Sequence, residues 1–190
     1  MAGTPVAGKD YEVLKAPQPV SAPPGKVEVI AFFWYGDPRS AELEPLVDSW
    51  SRQHTTAVLK RIPVAFRDDF VPHAKMFYAL SALGLLDALH LKVYPAIHRE
   101  KNNLLTPQAQ ADWLAGQGVD KKKYLDAYNS FSVQAQTKQA AELLKSYNID
   151  GVPTLVVRGK YKTGPAYTNS LEGTTAVLDH LVEQTAAGRL

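Results

Sequence analysis

Cysteine is missing altogether: none occurs in 190 residues. No structural disulfide or thiolate metal site can form, and no reaction that needs a thiolate nucleophile can run on this chain. An excess of charge of one sign is missing too. The net charge is +2, which suggests no nucleic-acid partner. No apolar run approaches the ~20 residues needed to cross a bilayer. The five histidines (His54, His73, His90, His98, His180) show no H-x-x-x-H spacing, so no metal is expected. There is no internal repeat and no low-complexity tract. What remains is an ordinary globular composition, 45% hydrophobic, on a chain long enough to bury a sizeable core.

The most informative stretch is 27–50, VEVIAFFWYGDPRSAELEPLVDSW. Val27, Val29, Ile30, Phe32, Phe33, Trp34 and Tyr35 make a nearly continuous apolar, β-branched and aromatic run, which suits a central strand buried on both faces. The run breaks at Gly36. Asp37 is a good helix N-cap, and Pro38 fits the first helical position. Leu43, Leu46, Val47 and Trp50 then share one helical face, with Pro45 as an expected kink. Upstream, residues 1–9 are small and polar and expected to be poorly ordered. Residues 11–14 read as a short edge strand and 18–26 as a Pro-rich loop. Downstream, 57–63 reads as a strand stopped by Pro63.

From about 72 to 147 period-2 patterning disappears. Helices are expected after Pro72, over 87–99 with Pro95 as a kink, from Thr106-Pro107 to Gly116, over 120–128, and over 132–147. Strands return at 154–157 and 161–163 around an Arg158-Gly159-Lys160 turn. A last helix carries Val177, Leu178, Leu181 and Val182 on one face. The expected organisation is α/β: residues 1–63 and 149–190 form one discontinuous domain, and 64–148 form an all-helical insertion.

Two motifs carry a resemblance. The segment FFWYG-x-P-x-x followed by ELEPLVDSW, and the downstream Ile149-Asp150-Gly151-Val152-Pro153-Thr154-Leu155, resemble the two active-site segments of DsbA-type thiol:disulfide oxidoreductases. The resemblance runs from Tyr11 to about Gly188. It implies a thioredoxin fold with an inserted helical domain, a periplasmic location, no cofactor and a monomer. Met1-Ala2-Gly3-Thr4 is not a secretory leader, so Met1 is expected to be an added start on a mature secreted sequence. The implied partners are extended or unfolded secreted polypeptides. The family's membrane quinone-linked reoxidant is not expected to act on this chain.

The departures lie in the site itself. Where the family has Cys-Pro-His-Cys, this chain has Asp37-Pro38-Arg39-Ser40, and the family's buried glutamate before Phe-Phe is here Ala31. No catalytic residue is intact, and redox inactivity is expected. Random decay would scatter more widely, so deliberate engineering is the favoured origin, with a natural redox-dead paralogue as the other reading. Asp37 is expected to cap the helix and to stand where the family's thiolate charge would be. Ser40 is expected to be passive, because a nucleophilic serine needs a base within reach. Arg39 reads as a solvated charge beside the groove, and Lys121-Lys122-Lys123 as a solvated face. By resemblance Pro153 is cis, which would leave the Val152 backbone free to pair with an extended peptide. Lys60, deprived of an acid at position 31, is expected to snorkel to solvent. The competing functions are a non-catalytic peptide-binding module and a scaffold redesigned for another purpose.

Overall fold

The computed structural model describes residues 3–190. Two compact units share the chain. The first holds the residues up to Phe33, Glu42–Ile62 and Ser146–Leu190. The second holds Trp34–Ala41 and Pro63–Lys145.

The first unit is built on a five-stranded sheet in the order β1-β5-β4-β2-β3. The strands are β1 (Glu12–Val13), β2 (Val27–Phe33), β3 (Ala57–Pro63), β4 (Thr154–Val157) and β5 (Tyr161–Thr163). Antiparallel pairing sets Ala31 opposite Leu155 and Val29 opposite Val157. All seven β2 residues are buried, which explains an apolar run with no alternation. One face packs Val29 and Ala31 with Leu43, Val47 and Trp50 of helix α1 (Pro38–Gln53), and with Val177, Leu178 and Leu181 of the last helix. On the other face Phe32 meets Tyr147, with ring centroids 5.4 Å apart. The last helix, Leu171–Ala186, starts where the Ser170 side chain accepts from Gly173 N. That cap satisfies one of the helix's free N–H groups.

The second unit is helical: α2 (Val71–Ala82), α3 (Leu86–His98), α4 (Pro107–Ala115), α5 (Lys121–Tyr128) and α6 (Phe131–Ser146). A 3₁₀ turn, Asp68–Phe70, precedes α2. Thr106 and Asp120 cap α4 and α5 through Ala109 N and Lys123 N. Met76, Leu80, Val93, Leu114 and Tyr124 are buried in this unit. No strand lies between Val71 and Ser146. The short helix α7 (Pro165–Thr168) of the first unit leads to α8 (Leu171–Ala186). The sequence pattern had no sign of α7, because a single turn is too short to show a period.

Two expectations need correction. The first residues were expected to lack order. Met1 and Ala2 lie outside the described residues, but Val6–Tyr11 is a hydrogen-bonded turn: Asp10 accepts from Val6 N at 2.8 Å, and Thr163 Oγ1 donates to Asp10 O at 2.8 Å. Lys60 was expected to run out to solvent. Instead its Nζ lies 3.0 Å from Oε2 of Glu28, whose side chain is only 3% exposed. Glu28 Oε2 also accepts from Ser21 N, and Lys60 donates to Ser21 O. The reason is register. Glu28 is the one carboxylate in a buried strand, and the neighbouring strand brings the ammonium that balances it.

This pair yields the first prediction. Lys60→Met leaves Glu28 buried without its cation and is expected to cost about 3 kcal/mol. Glu28→Leu combined with Lys60→Met is expected to recover most of that loss. Urea unfolding of the two variants against the unmodified chain measures both values.

Candidate functional site

The motif residues sit where β2 gives way to α1. The chain leaves the sheet after Phe33, turns through Trp34, Tyr35 and Gly36, and starts the helix at Pro38. Asp37 N donates to Trp34 O at 3.1 Å. The Asp37 carboxylate accepts from Ser40 N at 2.7 Å, so Asp37 is the N-cap. A negative charge there complements the positive end of the helix dipole. Ser40 is buried, and its Oγ lies 3.4 Å from Trp34 N as an acceptor. Pro38 and Arg39 are exposed. One free donor of the helix terminus, Ser40 N–H, is thus taken by the chain's own carboxylate.

Trp34 is held on three sides. Its indole Nε1–H donates to His73 Nδ1 at 2.8 Å. An indole N–H can only donate, so Nδ1 is the acceptor and the imidazole proton sits on Nε2. That proton is donated to Asn103 O at 2.7 Å. The indole packs on Phe70 with centroids 4.1 Å apart and the rings tilted by 32°, and the Arg67 guanidinium lies 5.2 Å from the Phe70 ring. Against its third side lies Gly36, where a Cβ would overlap the Trp34 ring. Glycine is needed here for space, and its backbone freedom is not the reason. The neighbouring Tyr35 is similarly tied, with its hydroxyl 2.7 Å from His90 Nδ1 and its carbonyl accepting from His98 Nε2 at 2.8 Å.

His73, His90 and His98 therefore do structural work around Trp34 and Tyr35, a role the spacing of histidines in sequence did not show. The available signal was helical phase: His73 shares the α2 face of Met76, Phe77 and Leu80. Among the described residues no group of His, Asp and Glu is placed to hold a metal ion.

The other candidate residues belong to the sheet-bearing unit. Ala31 is buried among Val29, Leu43 and Val47. The Val152–Pro153 bond is cis. Thr154 Oγ1 donates to Gly151 O at 2.7 Å and closes this turn. Gly164 packs under it so closely that a Cβ would stand 2.7 Å from Pro153 O. Glu44 and Asp48 of α1 bind Arg61 of β3, Glu44 through Nε and Asp48 through a 3.1 Å contact with Nη2. Burial acts on Asp48 in the opposite direction, yet Arg52 and Arg61 hold its carboxyl below the ordinary range.

Burial pushes the His73 pKa below the ordinary imidazole value of 6.5, against the raising effect of the Asn103 carbonyl, and His98 lowers it further. The unfolded chain takes up this proton near 6.5 and the folded chain resists it, so stability falls as pH drops through that value towards the folded pKa. Protonation also sets two N–H groups against each other at the Trp34 contact. The unfolding midpoint is therefore expected to decline between pH 7 and 5, with a change in tryptophan emission. His73→Gln keeps an acceptor for Trp34 but cannot titrate, and is expected to flatten that slope.

Comparison with known proteins agrees with this geometry. Residues 46–174 match the DSBA-like thioredoxin domain. The chain is 65% identical to the thiol:disulfide interchange protein DsbA of Burkholderia cepacia over 95% of its own length and 85% of the relative's. It is 41% identical to DsbA of Pseudomonas aeruginosa over 95% and 86%. The crystal structure of Pseudomonas aeruginosa DsbA superposes with a TM-score of 0.90 at 40% identity, covering 96% of this chain and 95% of that one. The oxidoreductase DsbA from Xylella fastidiosa superposes with a TM-score of 0.87 at 27% identity, covering 96% and 98%. By these matches the chain belongs to the DsbA family of thiol:disulfide interchange proteins, with its thioredoxin-like fold and helical insertion.

Proposed function

We propose that this chain is a DsbA-type protein of the periplasm whose redox site is disabled. It binds extended, secreted polypeptides along the Val152–Pro153 segment and transfers no disulfide to them. The observation that carries this reading is the composition: a family that exchanges thiols for disulfides is represented by a chain with no cysteine. Disulfide exchange proceeds through a thiolate and a mixed disulfide. Neither is available to Asp37, Pro38, Arg39 and Ser40.

The local chemistry supports the same reading. Asp37 supplies a carboxylate at the helix terminus, and its Ser40 N–H bond satisfies a donor that would otherwise stabilise a thiolate. Ser40 is buried beside Trp34. Ala31 stands in an apolar cluster where the family carries an acid. The chain keeps 65% identity with one relative over 95% of its length and yet has no cysteine, and we read that contrast as favouring deliberate removal of the redox groups. In this reading residues 1–63 and 149–190 form the thioredoxin-like domain, and 64–148 the inserted helical one.

Restoration tests it. Asp37→Cys with Ser40→Cys places two thiols one helical turn apart at a helix N-terminus, where the free N–H groups and Arg39 favour the first thiolate. The double variant is expected to form an intramolecular disulfide and to oxidise a reduced, disulfide-requiring protein; each single variant is expected to lack that cycle. Adding Ala31→Glu is expected to raise the rate. Activity in the unmodified chain would overturn the proposal, as would a folded double variant that forms no disulfide. Titration of the unmodified chain with an extended peptide is expected to show binding with no covalent product.

A further inference from the structure

The sheet has two edges, β1 and β3. A sheet edge presents unpaired main-chain N–H and C=O groups, and natural proteins guard it with short strands or with charged side chains. The β1 edge is guarded by length, at two residues. β3 runs for seven, and Ala57 to Arg61 are all half-buried. Side chains alternate between the faces of a sheet, so half-burial of five successive residues reflects an open side and not an open face. Register identifies the groups on that side. Val27 N donates to Thr56 O at 2.8 Å, where both strands begin, so β2 and β3 run parallel. Neighbours in such a pair bond at alternate residues. Val58, Lys60 and Ile62 therefore face β2, and Leu59 and Arg61 direct their N–H and C=O groups outward. Neither of the two has a main-chain partner on that side among the described residues. The free stretch is bounded by Ala57, whose N–H donates to His54 O at 3.0 Å, and by Pro63, which has no N–H.

The charges that would guard this edge are committed elsewhere. Lys60 donates to Glu28 and to Ser21 O, and Arg61 holds Glu44 and Asp48 on α1. We propose that the outer edge of β3 takes an extended polypeptide segment as a sixth, antiparallel strand, with an acidic side chain across from Lys60. Strand addition of this kind draws affinity from main-chain bonds and specificity from alternate side chains. Leu59 and Arg61 supply two donors and two acceptors, enough for four bonds to the added segment. Lys60 stands between them at a position where paired strands bring side chains closest. Its ammonium has three protons, and Glu28 and Ser21 take two. The third is left for a carboxylate on the new strand.

The same residue argues against a second copy of this chain as the occupant. Two β3 strands pairing about a two-fold axis use all four outward residues only when Leu59 of each lies opposite Arg61 of the other. That register sets Lys60 directly opposite its own symmetry mate, and like charges so placed repel. A foreign segment with Glu or Asp at that point replaces the repulsion with an attraction. This inference does not rest on the proposed function, because the edge shares no residue with the motif or with Val152 and Pro153, and β2 separates β3 from the strand that follows Pro153.

Amide hydrogen exchange of the whole chain, read residue by residue by NMR, tests it. In the free chain the Leu59 and Arg61 amides are expected to exchange fast, and those of Val58 and Lys60 slowly. The probe is the capped pentapeptide Thr-Val-Glu-Val-Thr at millimolar concentration, which sets Glu across from Lys60 and Val across from Leu59 and Arg61. It is expected to slow exchange at Leu59 and Arg61 together. Lysine in place of the central Glu is expected to raise Kd about fivefold. N-methylation of both valines, whose N–H groups point at β3, is expected to abolish the protection, and N-methylation of the Glu to leave it. Leu59→Pro removes an N–H that no group of the chain uses, a change that edge strands tolerate, and is expected to raise Kd about tenfold. The unfolding midpoint of that variant checks its fold, and the peptide series stands without it. Unchanged exchange at Leu59 and Arg61 with millimolar peptide overturns the inference. Slowing confined to Val152 overturns it too, and leaves the proposed function standing. Equal losses from the two N-methylated peptides, or slowing that grows with protein concentration in the absence of peptide, also overturn it.

Discussion

Burial of β2 is the constraint on which the rest of the molecule depends. Seven consecutive residues, Val27 to Phe33, are withdrawn from water. A strand buried on both faces needs a cover on each, and here one is made by α1 and α8 and the other includes Tyr147. It also needs its one charge balanced, which places Lys60 on the neighbouring strand and draws Ser21 of the preceding loop towards the same carboxylate.

The turn from β2 into α1 carries no thiol in this chain. Asp37 turns its carboxylate on Ser40 N, so the helix terminus that would favour a thiolate is used for local stability. The surroundings are correspondingly immobilised by hydrogen bonds and rings: Trp34 between His73 and Phe70, and Tyr35 between His90 and His98. Of these histidines, His73 is pushed by burial below the ordinary imidazole value, which favours the neutral ring that accepts from Trp34. The rigidity of this turn comes largely from Trp34 and Tyr35 and their partners, which lie outside residues 37–40.

The charged pairs of the sheet-bearing unit follow a related logic. Arg61 reaches both Glu44 and Asp48, so α1 is anchored to β3 at its polar flank as well as by Leu43, Val47 and Trp50. Paired charges this deep are weak evidence for net stability, since desolvation offsets much of their attraction. Their clearer effect is on register, because a shifted β3 would leave Glu28 and Glu44 buried without cations.

Local features were legible in the sequence by itself. The unbroken apolar run of β2, the Asp37, Thr106 and Asp120 caps, the prolines at helix starts and the 3.6-residue periods fix elements through neighbours a few residues apart. The missing cysteine settled what the chain cannot do, because composition needs no fold. The tertiary structure alone decided which partners meet across long separations. His73 finds Trp34 across 39 residues, and Lys60 finds Glu28 across 32. The expectation that Lys60 would extend into water failed because it weighed only position 31 as the partner and did not pair Lys60 with Glu28 on the neighbouring strand. Periodicity reports which face of an element is buried, but a hydrogen bond or an ion pair depends on strand register and helix rotation, and these are set only when the whole core packs.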